Sequence, residues 1–68
     1  MTNLRNVKLR EYITDVDFMA DVVIQVWLAE DDKYYLVAKI YYERNRYELK
    51  VADGPYDTVD EAIWDWYE

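Results

Sequence analysis

The apolar positions along the chain change period from one stretch to the next. Near the end, Val59, Ala62, Ile63 and Trp66 recur at i, i+3, i+4 and i+7, one stripe of an amphipathic helix. Thr58-Val59-Asp60-Glu61 opens that stripe as a capping box, with the Thr side chain on an early backbone N–H and the Glu reaching back. The pattern predicts a helix over roughly 59–67, delivered by a turn at Gly54-Pro55.

Three upstream stretches carry strand patterns. Asp21–Ala29 is rich in β-branched residues, Tyr34–Tyr42 mixes aromatic and aliphatic positions, and Arg46–Val51 alternates cleanly. Arg44-Asn45 reads as a two-residue hairpin loop, since Asn tolerates positive φ. That loop predicts the pairs Glu43–Arg46, Tyr42–Tyr47, Ile40–Leu49 and Ala38–Val51, and sets Lys39 opposite Lys50. In the first hairpin, a three-residue loop within Glu30–Lys33 keeps Val22, Ile24, Val26 and Leu28 on one face with Leu36, Ala38 and Ile40. With Tyr42, Tyr47, Leu49 and Val51, those residues form the expected core face under the helix.

Residues 1–20 fit two patterns. As a strand, Val7, Leu9 and Ile13 share a face, interrupted by Glu11; as a helix, Leu9, Tyr12, Ile13 and Val16 fit the 3.6-residue period. The preferred reading is a strand at about 6–13 followed by a loop through Asp15 and Asp17. The expected fold is thus α+β: an antiparallel meander of three to four strands with a C-terminal α-helix on one face, a single domain over 1–68.

Composition narrows the chemistry. The chain has no Cys and no His, so neither a disulfide nor an ordinary zinc or haem site supplements its core. Three Trp, eight Tyr and one Phe make aromatic burial the alternative source of stability. The first residues lack the apolar core of a signal peptide, and no run approaches a membrane span. A cytoplasmic location is expected.

No Ser accompanies the missing His and Cys, which removes the usual nucleophile–base pairs. One Gly excludes the phosphate-cradling loops, which need several. The expectation is a non-enzyme without cofactor. Asp15-Val16-Asp17 and Glu30-Asp31-Asp32 lack the glycine and distal Glu of a calcium loop and read as solvated turns rather than metal sites.

The net charge of −7 is unevenly distributed. Residues 53–68 contain no base and six acids: Asp53, Asp57, Asp60, Glu61, Asp65 and Glu68. Such a surface repels nucleic acid directly and suits a basic protein surface. At ~100° per residue, Trp64 points away from the apolar stripe with Tyr67 at its flank, ringed by Asp60, Glu61, Asp65 and Glu68. An exposed indole rimmed by charge has the anatomy of an interface anchor. The alternative is a frayed terminus whose Trp folds over the helix edge.

A second candidate surface is the sheet face away from the helix, expected to carry Val23, Gln25, Trp27, Tyr35, Val37 and Tyr41 among Lys39, Glu48 and Lys50. Either the N-terminal segment covers it, or Trp27, Tyr35 and Tyr41 form a homodimer or partner interface. In size, acidity and lack of Ser, His and Cys, the chain resembles the small inhibitors that phages and mobile elements encode against nucleases, restriction systems or CRISPR complexes. That resemblance implies an anti-CRISPR or DNA-mimic role, with carboxylates standing in for phosphates. The competing expectation is an assembly module that homo-oligomerises through the aromatic sheet face.

Overall fold

The computed structural model describes residues 7–68. Four strands, β1 (Leu9–Met19), β2 (Val22–Ala29), β3 (Tyr34–Glu43) and β4 (Arg46–Tyr56), precede one helix, α1 (Val59–Tyr67). The strands form an antiparallel sheet in sequential order, and α1 lies across β2, β3 and β4 on one face. This is the expected α+β meander.

α1 occupies the expected span. Thr58 is extended and its hydroxyl accepts the Glu61 N–H at 3.1 Å. Such a cap contributes about 1 kcal/mol. The returning Glu61 carboxylate takes the Asp57 N–H at 3.2 Å, one residue before the position of a standard capping box. Ala62 is fully buried against Ile24, Val26 and Leu36, with Val59, Ile63 and Trp66 around them. A small residue at the contact centre lets the helix axis approach the sheet closely.

The first hairpin follows its predicted register. Val22 pairs with Ile40, Ile24 with Ala38 and Val26 with Leu36. Ala29 N–H donates to the Lys33 carbonyl at 2.9 Å, closing a three-residue loop in which Asp32 adopts φ 63°. The left-handed third position is the usual ending of such loops.

The second hairpin departs from its predicted register. Glu43 pairs with Arg46 as expected, but Tyr41 then pairs with Tyr47, Lys39 with Leu49 and Val37 with Val51. Tyr42 is an extra residue on β3, a bulge that moves β4 by one position. A one-residue slip exchanges faces, so Tyr47, Leu49 and Val51 leave the helix face while Glu48 and Lys50 join it and stay exposed. The expected Lys39–Lys50 opposition disappears. The face away from α1 is covered in part by this exchange and in part by the N-terminal segment, as one sequence reading expected: Leu49 and Val51, and Val7 and Leu9, pack with Ala29, Tyr35 and Val37, and Val37 is fully buried. Burying a Val side chain contributes roughly 1.5–3 kcal/mol.

Two further expectations are corrected. The chain continues as β4 through Gly54-Pro55 to Tyr56, with irregular pairing opposite Leu36, so that dipeptide does not form the turn into α1. The loop expected through Asp15 and Asp17 is also strand: β1 runs unbroken to Met19, and no helix forms there. The predicted start at residue 6 lies outside the described residues. Arg10, Ile13 and Val16 are each extra residues opposite β2, so β1 spans 11 residues where β2 uses 8. Ile13 and Val16 are thereby directed into the cluster under α1.

Candidate functional site

Two surfaces stand out, on opposite sides of the sheet. On the first, α1 carries Asp60, Glu61, Trp64, Asp65, Tyr67 and Glu68 together, all exposed. Trp64 is 72% exposed, so its indole does not fold back over the helix edge. Two acids lie in the first turn and no base in the last. The first-turn acids favour the helix dipole, whereas Asp65 and Glu68 oppose it. Among the described residues, none of these four carboxylates has an ion-pair partner.

The same face is tied down from beneath. Trp66 Nε1 donates to Asp17 Oδ2 at 3.0 Å, and Tyr67 Oη donates to the Val16 carbonyl at 2.5 Å. Tyr56 Oη donates to Asp65 Oδ2 at 2.5 Å. Burial first, and that hydrogen bond second, push the Tyr56 phenol well above its ordinary value. Trp64 therefore stands on a last turn whose neighbours on both sides are anchored to the sheet.

The second surface is the open sheet face. Its groove, of about 420 Å³, is lined by Tyr12 and Asp15 of β1, Gln25 and Trp27 of β2, Lys39 and Tyr41 of β3, and Tyr47 of β4. Gln25 is buried at its floor with both ends of its amide bonded: its Nε2 donates to Asp15 Oδ1 at 3.0 Å, and its Oε1 accepts from Trp27 Nε1 at 2.9 Å. Tyr12 meets Trp27 edge to face at 5.9 Å between centroids. The Lys39 ammonium lies 4.3 Å from the Tyr47 centroid and 5.2 Å from that of Tyr41, within cation–π range. The polar contact of the Tyr41 phenol, followed by the charge of Tyr41, Tyr47 and Asp15 at high pH, raises the Lys39 pKa.

Of the three residues predicted for this face, Trp27 is half-buried and Tyr41 exposed, both on the groove. Tyr35 is instead a core residue, 3% exposed, packed against Gly54, with its hydroxyl donating to Asp31 Oδ2 at 2.6 Å. Tyr12, Asp15, Lys39 and Tyr47 were not singled out from sequence as site residues. Sequence pattern placed Lys39 on this face but could not add Tyr12, Asp15 and Tyr47, because the bulges of β1 and β3 bring them there.

The acids expected in solvated turns are used internally, and Asp15 and Asp17 lie within β1 rather than in a turn. Asp17 accepts from Trp66 and from the Phe18 N–H, Asp31 from Tyr35 and the Lys33 N–H, and Asp32 pairs with Arg10 at 3.2 Å. Among the described residues, no group of three or more acids is placed to hold a metal ion. No described helix is long and apolar enough to cross a membrane.

The fold and these surfaces define a small α+β meander domain with one acidic, indole-bearing helix face and one bipolar aromatic sheet face. No protein-family model, curated protein or solved structure matches the chain.

Proposed function

We propose that the chain is a non-enzymatic binding module that engages a basic protein surface through the outward face of α1. Its role in this reading is that of a small phage or mobile-element inhibitor of the anti-CRISPR or DNA-mimic type. The observation that carries the reading is Trp64, 72% exposed amid Asp60, Glu61, Asp65 and Glu68, carboxylates without internal ion partners among the described residues. An exposed indole on an anchored helical turn supplies a central contact at little ordering cost, and the acids supply the rim. Arg and Lys that otherwise grip phosphates would pair with these carboxylates, blocking a nucleic-acid site by occupying it. Residues 53–68 hold six acids and no base, which opposes direct binding of this face to nucleic acid.

The test is affinity capture at low and high salt, using the wild-type chain beside a variant combining Trp64→Ala with Asp60→Lys, Glu61→Lys and Asp65→Lys. A nucleic-acid-binding protein retained by wild type, released by salt and lost with the variant supports the reading. Equal retention by both chains rejects the assignment of the site.

A further inference from the structure

The three indoles of the chain are not equivalent. Trp27 Nε1 donates to Gln25 and Trp66 Nε1 to Asp17, and both rings are half-buried. Trp64 is 72% exposed, and among the described residues its Nε1 has no hydrogen-bond acceptor. Its faces are therefore open on a helical turn that Trp66 and Tyr67 tie to β1.

The four carboxylates around it are not equivalent either. Glu61 already accepts the Asp57 N–H through Oε2, and Asp65 accepts the Tyr56 hydroxyl through Oδ2. Among the described residues, Asp60 and Glu68 accept no hydrogen bond at their carboxylates and form no ion pair, so both oxygens of each are open. These two stand four residues before and four after Trp64. Residues at that spacing share one helical face, a turn of ~5.4 Å apart. Glu68 is the C-cap, and its backbone N–H still closes on the Trp64 carbonyl at 3.1 Å, which holds it one turn beyond the indole. Asp65, adjacent in sequence, lies about 100° around the axis. The outward face of α1 is thus ordered as acid, indole, acid.

We propose that Asp60, Trp64 and Glu68 form a site for an arginine side chain of the partner, with the guanidinium stacked on the indole and its paired N–H groups on one flanking carboxylate. The proposal rests on the reading of α1 as the contact for a basic surface, and names the side chain that the contact selects. Indole is the strongest of the aromatic platforms for a cation, and the flat guanidinium stacks on it face to face. A carboxylate with both oxygens open matches the two parallel N–H groups of arginine, whereas a half-engaged one offers a single acceptor. Lysine brings a compact, strongly hydrated point charge that uses neither the ring face nor the second oxygen in this way. A guanidinium at the Glu68 end also answers the negative pole of the helix, whose last turn contains no base. A metal ion would leave the ring unused, and no described group of three or more acids is placed to hold one.

The test is titration of the full chain into labelled oligoarginine and oligolysine peptides of equal length and charge, followed by fluorescence anisotropy at one salt concentration. The arginine peptide should bind at least about threefold more tightly, the scale of a surface cation–ring contact with a second parallel hydrogen bond. Trp64→Ala should bring the two affinities together. Asp60→Asn with Glu68→Gln should do the same. Glu61→Gln with Asp65→Asn removes the same charge, and should weaken both peptides while keeping the preference for arginine. Equal affinities in the wild-type chain, both falling when Asp60, Glu61 and Asp65 are changed to Lys, overturn the arginine site and leave α1 as a binder of basic surfaces. A preference that persists in Trp64→Ala overturns the site as well. If wild type binds neither peptide, this proposal and the reading beneath it fail together.

Discussion

Trp66 of α1 and Asp17 of β1 are joined by an indole-to-carboxylate hydrogen bond of 3.0 Å across 49 positions of sequence. It ties the last helical turn to the edge strand, and the Tyr67-to-Val16 bond lies beside it. Asp17→Ala leaves the half-buried indole N–H without its partner and should cost about 1–3 kcal/mol in urea unfolding. Asp17→Asn keeps an acceptor and should lose less. Wild-type stability in the Ala variant would show that α1 docks without this bond.

Gly54 faces the ring of Tyr35 at φ +139°, and a Cβ built there would overlap that ring. Gly54→Ala therefore combines backbone strain with a clash in the core and should cost about 2 kcal/mol or more. The check is a thermal melt of the variant against wild type. An unchanged midpoint would mean that β4 and Tyr35 do not pack as described.

Tyr35 and Asp31 give stability a pH dependence of known sign. The hydrogen bond to Asp31, aided by burial, pushes the Tyr35 phenol up to about 12 from an ordinary 10.0. The folded chain thus holds this proton more tightly than the unfolded one. Its contribution is complete below pH 10.0 and is lost as pH rises through about 12. The same bond holds Asp31 below its ordinary 3.8, so that contribution is present above 3.8 and lost as pH falls through the lowered folded value. Tyr35→Phe should flatten both limbs of a stability–pH profile measured by denaturant titration. An alkaline limb as steep as that of wild type would contradict the assignment.

How much of this was legible from the residues differs by element. α1 was readable because its cap, Thr58 to Glu61, and its stripe are local signals within one helix. The first hairpin was readable because only one loop length kept Val22, Ile24 and Val26 with Leu36 and Ala38. The rest depended on bulges, which leave little local trace. Tyr42 is a good strand residue, and nothing in its type announces that it stands outside the pairing. In β1, extra residues at Arg10, Ile13 and Val16 impose a three-residue repeat on a strand. That repeat resembles the spacing of a helix, which is why Leu9, Tyr12, Ile13 and Val16 fit a helical stripe in a segment where Val7, Leu9 and Ile13 fit a strand face. The same difference governs the two surfaces. Trp64 could be placed outward by helical geometry alone, whereas the meeting of Lys39 with Tyr47 required the shifted register of β4.

The most direct test of the role assigned to α1 is a competition titration. A basic nucleic-acid-binding protein recovered by capture is loaded with a labelled oligonucleotide, and the chain is added at increasing concentration. The wild-type chain should displace the oligonucleotide, with an apparent affinity that falls as salt rises. The variant carrying Trp64→Ala with Asp60→Lys, Glu61→Lys and Asp65→Lys should not. Equal displacement by the two chains would contradict the account.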